Sequence, residues 1–329
     1  MGTIIITGAN GSLGLAAVHQ LFSTHPTSYV ILTVRDDSDQ DSNTEKLRKI
    51  VRDHSQDAHA SIRKLDLSSL AAVRQFTATI NSEIATKKIP PLATVICNAM
   101  SWTINGGIKL SLDGYEQSMA VNHIAHFAMV LQLLGSFDHA EGRIVFLSSD
   151  SHQKSALQRY PTVLPADLEY LTHPLPDKEE EVIDRGFQRY GLSKLVIVMT
   201  MFEMNRKLRN SKDLKGISAL AVDPGALLDS RALNSADIPR MWSIQVYIAN
   251  IFQPLLRWLD PSLRRCADAA KDVIDLAVGS QYVGQDGYYV MGKKAESSNA
   301  SRDEGMQRLL WEKSLMWSRI GQEDTVLTL

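Results

Sequence analysis

The stretch Thr3-Ile4-Ile5-Ile6-Thr7-Gly8-Ala9-Asn10-Gly11-Ser12-Leu13-Gly14 decides the fold. An apolar run of strand length ends in a glycine-rich turn, after which Leu13, Ala16, Ala17 and Leu21 recur at helical spacing. Such a turn lets main-chain amides and the positive end of the helix face an anion. Gly8 can make the tight turn, and Gly14 lets helix and strand approach closely. Any sharp strand-to-helix connection favours glycine, so position matters. This is the first such junction in the chain, the place where a dinucleotide's pyrophosphate would sit.

Working outward, further strand-length apolar runs fall at residues 29–34, 94–97, 144–147, 217–222 and 288–290. Between them lie segments with helical spacing, such as Leu70, Val73, Phe76 and Ile80. Alternation at this pitch implies crossover connections and a parallel sheet covered on both faces, an α/β fold. Two stretches interrupt it. Residues 151–187 hold Pro161, Pro165, Pro174, Pro176 and the acidic run Asp177-Lys178-Glu179-Glu180-Glu181, and read as an inserted loop with a solvated acidic face. Residues 226–262 follow a strand end and read as a lid, because ligands of α/β sheets bind there. Met306, Leu309, Leu310 and Leu315, with Trp311 and Trp317 nearby, predict a helix packed onto the domain.

Across 329 residues, 44% hydrophobic and 22% charged content excludes a disordered chain. Lys and Arg total 35 against 37 Asp and Glu, so there is no electrostatic footprint for nucleic acid. Cys97 and Cys266 are the only cysteines, too few for a disulfide scaffold or a cysteine zinc module, and they fit a reducing compartment. The chain opens on a strand rather than a secretory leader, and no run approaches eighteen apolar residues. The expectation is a cytoplasmic protein without a transmembrane segment. The nearest candidate, residues 241–259, is broken by Gln245, Asn250, Gln253, Pro254 and Arg257; it reads first as a substrate-covering lid and second as a membrane-surface helix.

The second strand closes on Arg35-Asp36-Asp37. An acidic residue here would hold a ribose 2′-hydroxyl, whereas a base suits a 2′-phosphate. Arg35 comes first and its fork of donors matches phosphate oxygens, which favours NADP(H) over NAD(H). The competing reading pairs Arg35 with Asp36 or Asp37. Further on, Tyr190-Gly191-Leu192-Ser193-Lys194 places a phenol and an ammonium four residues apart, on one face of a helix. A phenol titrates near pH 10, and a neighbouring ammonium would lower that. Such a tyrosine can protonate a carbonyl oxygen as hydride arrives, or take a proton from an alcohol in reverse. The pair alone is usually only a helix surface.

In the company of other motifs it is more. The whole chain resembles the short-chain dehydrogenase/reductase family, in the branch similar to retinol dehydrogenases and their fungal relatives. The resemblance rests on the glycine loop at 7–14, Leu65-Asp66-Leu67, Cys97-Asn98-Ala99 and Val121-Asn122-His123. It continues in Gly142-Arg143-Ile144-Val145-Phe146-Leu147-Ser148-Ser149, Tyr190 with Lys194, and Asp223-Pro224-Gly225, all in family order. It implies a single doubly wound Rossmann-type domain over residues 1–329 with a seven-stranded parallel sheet, and membership of the homodimer-forming kind.

The resemblance also implies roles. Asn122, Ser149, Tyr190 and Lys194 match the catalytic tetrad, with Ser149 rather than Ser148 as the active serine. Ser149 would hydrogen-bond the substrate oxygen and Tyr190 would be the acid/base. Lys194 would hold the nicotinamide ribose and tune Tyr190, and Asn122 would position a water linking Lys194 to solvent. Thr7, Gly8, Asn10, Gly11, Ser12, Leu13 and Gly14 would bind the cofactor, as would Arg35, Asp66, Leu67, Asn98, Ala99, Pro224 and Gly225.

Departures from the family pattern are equally legible. Ser12 stands where most relatives have glycine, so its side chain must turn from the pyrophosphate or bond to it. Met100 replaces a glycine beside the cofactor, and Asp229 sits where a threonine often meets the carboxamide. Ser149 and Tyr190 lie 190 − 149 = 41 positions apart, which makes the insertion a shaper of the substrate mouth. His123, His126 and His152 lack a carboxylate at ligand spacing, so no metal is expected; His152 could equally face substrate or brace its loop. Lid residues Leu227, Leu228, Trp242, Ile244, Val246, Ile248 and Ile251 suggest a hydrophobic small molecule, such as a fungal secondary-metabolite ketone. The expected activity is NADP(H)-dependent carbonyl reduction or secondary-alcohol oxidation. A redox-silent cyclase or isomerase, or a dinucleotide-sensing binding protein, are the alternatives.

Overall fold

The computed structural model describes residues 2–54, 59–153, 159–234 and 240–329. Strands β1 (Thr3–Ile6), β2 (Tyr29–Val34), β3 (His59–Lys64), β4 (Leu92–Cys97), β5 (Arg143–Leu147) and β6 (Ser218–Asp223) form most of one sheet. A second, two-stranded ribbon pairs β7 (Ala226–Leu227) with β8 (Leu263–Arg264). β9 (Gly287–Val290) and β10 (Lys293–Lys294) complete the large sheet, whose order is β10-β9-β6-β5-β4-β1-β2-β3. Seven of its eight strands run parallel, as expected; β10 adds an antiparallel edge through a hairpin at Met291 and Gly292, both with positive φ.

The sequence pattern missed β3. His-Ala-Ser-Ile-Arg-Lys has two apolar residues, because an edge strand paired only with β2 stays half exposed and needs no apolar run. The central strands are the opposite case. β4 and β5 are buried along almost their whole length, which is why they read as continuous apolar runs.

Helices α1 (Ser12–Thr24), α2 (Ser42–Asp53) and α3 (Leu70–Ala85) follow the first three strands. α4 (Gln117–Met119) continues through a π turn (Ala120–Ile124) into α5 (Ala125–Leu133). This run, Gln117–Ser136, is long and apolar enough to cross a membrane, but 89% of its apolar window is buried inside the fold, as in a core helix. α6 (Val182–Asn210) is the longest helix, and α7 (Arg240–Ile251) and α8 (Gln253–Leu259) follow. α9 (Cys266–Val278) packs beside α1, and α10 (Glu304–Ser318) packs on α5 and α6. One core lies between the sheet and α3, α5 and α6; the other lies between the sheet and α1 and α9. Trp311 and Trp317 are buried, so the C-terminal helix docks as its spacing predicts.

The described part of the insertion is more ordered than a solvated loop. Its last six residues already belong to α6, which begins at Val182 rather than at the Tyr190 motif. The acidic run is also not simply a solvated face. The Asp177 side chain is buried and accepts from Arg189 Nη1 at 2.7 Å, while the buried Glu116 lies 3.9 Å from Arg189 Nε. Burial raises the Glu116 carboxyl above the usual range. One guanidinium thus holds insertion, α4 and α6 together, next to Tyr190. Arg189→Ala would leave two buried carboxylates without their cation. It should lower the unfolding free energy by about 3–5 kcal/mol in urea titration. A loss below about 1 kcal/mol, the range of a surface pair, would show that this contact does not brace the insertion.

Candidate active site

A cleft of about 710 Å³ opens along the carboxyl ends of the strands. It crosses the gap between β1 and β4, where the strand order reverses and α/β sheets bind their ligands. Gly8 has φ +61°, and a Cβ there would stand 2.8 Å from the Ala99 Cα. A Cβ on Gly14 would lie 2.5 Å from the Gly8 carbonyl oxygen. Both glycines are therefore required by close approach. Gly11 precedes α1 with no side chain to cap it, so amides of the first helical turn stay available to a ligand.

Gly8, Asn10, Gly11, Ser12, Leu13 and Gly14 all line the cleft, as do Arg35, Asp66, Leu67, Asn98 and Ala99. Pro224 and Gly225 line it from β6. Asp36 turns its carboxylate onto its own loop, accepting from Ser38 N at 2.9 Å, and this hydrogen bond holds it below the usual carboxylate range. Among the described residues, Arg35 has no ion-pair partner, so the pairing with Asp36 or Asp37 is absent. Asp41, which the sequence reading overlooked, also lines the cleft. It caps α2 and accepts from Asn10 Nδ2 at 2.9 Å. The donor set fits a dinucleotide: free amides for a diphosphate at one point and an exposed guanidinium at the far end.

Ser149, Tyr190 and Lys194 meet at the other end. Ser149 follows β5, while Tyr190 and Lys194 lie one turn apart on α6, with Lys194 Nζ 5.5 Å from the phenol ring centre. The Ser149 hydroxyl donates to Asp150 Oδ1 at 3.0 Å, and its side chain is close enough to the Tyr190 phenol to influence its titration. Ser148 faces elsewhere in its bonding, its hydroxyl 3.4 Å from the Lys194 carbonyl.

The electrostatics differ from the sequence expectation. Burial pushes the Tyr190 phenol up rather than down, and the Ser149 contact only partly opposes this. Burial likewise pushes Lys194 down to about 7, although Asp223 pulls the other way. Its ammonium donates to the Leu147 carbonyl at 2.7 Å. Asp223 itself is pushed up to about 6 by burial, against the Gly225 N–H that donates to it at 2.9 Å. Asp150 was not singled out from sequence, though it adjoins Ser149; Asp223 entered only as part of the Asp223-Pro224-Gly225 motif, with no role assigned to it.

Thr7 and Asn122 stand behind the cleft wall, not on it. Thr7 is fully buried; its hydroxyl accepts from Ala99 N at 2.9 Å and meets His126 Nε2 at 2.9 Å. His126 Nδ1 lies 3.2 Å from the Asn122 carbonyl, which can only accept, so Nδ1 carries the proton and Nε2 takes the Thr7 hydrogen. Asn122 sits in the π turn and its side chain is fully engaged. It accepts from Ser101 N at 2.7 Å and donates to the Ser101 carbonyl and the Ser193 hydroxyl, both at 2.9 Å. The Ser193 hydroxyl in turn donates to the Tyr190 carbonyl at 2.7 Å.

The remaining residues find structural places. His152 is buried, with Nδ1 on the Ser149 carbonyl and Nε2 accepting from Ser298 N, so it braces the serine loop. Asp229 accepts from Cys266 N at 2.8 Å, anchoring the start of α9. Met100 lines the cleft. Of the apolar lid residues, Leu227 lines the cleft, Leu228 is packed away, and Ile248 and Ile251 face solvent. The Trp242, Ile244 and Val246 side chains lie outside the described residues. The apolar wall near Tyr190 comes instead from Trp102 and Phe187, whose rings are edge-on at 6.2 Å, with Trp102 also edge-on to Tyr190 at 5.4 Å. Neither carries a motif, which is why the pattern did not reveal them.

Lys194 offers a pH test. Its folded value near 7 lies below the unfolded 10.5, so between them the unfolded chain holds the extra proton. The stability of the wild type relative to Lys194→Met should therefore rise as pH increases through that interval, in paired urea titrations. A flat difference would place the ammonium in a well-solvated setting.

Comparison with known proteins supports one family. The short chain dehydrogenase family model matches residues 2–160, and an AcuH dehydrogenase domain model matches residues 229–327. Short-chain dehydrogenase iccH of Talaromyces variabilis is 31% identical, over 99% of this chain and 98% of its own. Retinol dehydrogenase 13 of Homo sapiens is 27% identical, over 95% and 83%. A short-chain dehydrogenase/reductase structure from Serratia marcescens superposes with a TM-score of 0.59 at 19% identity, covering 89% of this chain and 98% of that one. The angucycline C-6 ketoreductase LanV gives 0.56 at 17%, covering 89% and 95%. With the dinucleotide-type cleft at the switch point and near full-length likeness to a curated member, the chain belongs to the short-chain dehydrogenase/reductase family, oxidoreductases built for a nicotinamide dinucleotide.

Proposed function

We propose that this protein is an NADP(H)-dependent reductase of a carbonyl, or in reverse an oxidant of a secondary alcohol, on a hydrophobic small molecule. One observation carries the reading: Ser149, Tyr190 and Lys194 converge at one end of a continuous cleft whose other end presents Arg35 without an ion-pair partner among the described residues. Arginine binds phosphate oxygens through a fixed, permanently charged fork, so a 2′-phosphate is the group Arg35 suits. The names of LanV, described with bound NADP, and of an actinorhodin polyketide ketoreductase, described with NADPH, are in keeping with this choice.

The bound nicotinamide would supply or accept the hydride. The chain's own residues do the rest. The first-turn amides of α1 and Arg35 hold the phosphates, Asp66 and Leu67 border the adenine side, and Pro224 and Gly225 border the nicotinamide side. Ser149 donates a hydrogen bond to the substrate oxygen. Tyr190 delivers its proton to that oxygen as negative charge develops. With burial holding the phenol protonated, Tyr190 is set to act as an acid first. Trp102 and Phe187 exclude water beside it and offer apolar contact to the substrate. A secondary-metabolite ketone of the fungal kind fits that wall, and cytoplasmic residence fits the two thiols. The redox-silent alternatives gain no support from a site that keeps every proton-handling group.

In calorimetry, NADPH should bind at least about tenfold more tightly than NADH, and Arg35→Ala should erase the difference, since a charged hydrogen bond is worth about 1.5–3 kcal/mol. Equal binding of both by the wild type would overturn the NADP(H) assignment. Tyr190→Phe should keep NADPH affinity while lowering turnover of a bulky aromatic ketone about 10²–10⁴-fold. Retained turnover would place the proton donor elsewhere.

A further inference from the structure

Arg231 was assigned nothing by the sequence motifs, yet it reaches across the cleft. It lies just beyond β7 on the lid, and its side chain donates from Nη2 to the Asn10 carbonyl at 2.6 Å. Its main-chain N–H donates to the Ser12 hydroxyl at 3.0 Å. The serine that replaces the family's glycine therefore has a purpose: it turns its hydroxyl sideways and docks the lid onto the glycine loop.

This placement is electrostatically incomplete. The guanidinium stands beside the first turn of α1, whose uncapped amides already form a positive helix end. Among the described residues no carboxylate comes within ion-pair distance of it. Asp41, the acidic group in the hydrogen-bond network around Asn10, is already committed to Asn10 and Thr44. Two positive features converge on one wall of the cleft, with no counter-charge between them among the described residues. Arginine also presents further N–H donors beyond the one used on Asn10. An anion with several oxygens, seated between the amides and the guanidinium, completes both.

We propose that Arg231 is a lid-borne ligand of the cofactor's diphosphate, held in register by the Ser12 contact. The inference rests on the dinucleotide reading above and extends it to a residue outside the glycine loop. It differs from the Arg35 assignment in one measurable respect. The diphosphate is common to NADH and NADPH, whereas the 2′-phosphate is not.

The experiment is titration calorimetry of the whole chain with NADPH and with NADH, on wild type, Arg231→Gln, Arg231→Lys and Arg35→Ala. Thermal unfolding without nucleotide accompanies each. Glutamine can still donate to the Asn10 carbonyl, so it keeps the latch and removes only the charge. Arg231→Gln should raise Kd about ten- to a hundredfold, by the same factor for both nucleotides, with the nucleotide-free melting temperature unchanged. Arg231→Lys should recover most of that loss. The proposal is overturned if Arg231→Gln binds both nucleotides like wild type, if its loss is confined to NADPH, or if lysine loses as much as glutamine. Failure of the wild type to bind either nucleotide would instead remove the dinucleotide reading and this inference with it. Normal wild-type binding with an unaffected Arg231→Gln would remove this inference alone.

Discussion

A buried chain of hydrogen bonds from Thr7 through His126 and Asn122 to Ser193 is the constraint on which the site depends. It begins where β1 enters the glycine loop, crosses to the loop after β4 through Ala99 and Ser101, and ends on the carbonyl of Tyr190. Each member spends its donors and acceptors on the next, and burial holds His126 neutral, at about 4. In a low-dielectric interior a fully satisfied network of this kind rigidifies, whereas losing one member leaves unpaired polar groups at high cost. The loop that faces a dinucleotide and the helix that carries the phenol are thus tied through the protein, not through the ligand.

Segments outside the sheet brace the same helix. Arg189, next to Tyr190, holds Asp177 of the insertion and approaches Glu116. Glu169 of the insertion accepts from Lys313 at 2.7 Å and from the Trp317 indole at 3.3 Å, joining the insertion to the C-terminal helix. His152 hands the serine loop to Ser298. The long spacing between Ser149 and Tyr190 therefore supplies a scaffold as well as a mouth. That scaffold places Phe187 beside Trp102, where the substrate would arrive.

Inside the cleft, burial sets the electrostatics. A lysine near 7 and an aspartate near 6 flank a phenol held protonated. Desolvation disfavours every charged form here, which makes each group responsive to charge brought in from outside. A phosphate-bearing ligand would meet cations at both Arg35 and Arg231 that have no ion-pair partner among the described residues.

Much of this was already present in the order of residues. Backbone demands are local, so the glycine turn, the buried central strands and the Tyr190–Lys194 pair are readable from type and spacing. Arg35's freedom was half readable: its charge is in the sequence, but whether Asp36 would pair with it depended on where the loop turned. What the pattern could not carry were contacts between residues far apart in the chain. Thr7's retreat behind the wall, the hidden β3 edge, the buried pairing of Asp177, and the meeting of Ser12 with Arg231 across 219 positions all belong to that class. Local sequence determines which conformation a segment prefers and which chemistry it can offer. Only the packed fold decides which of those groups lose their water, and hence which find each other.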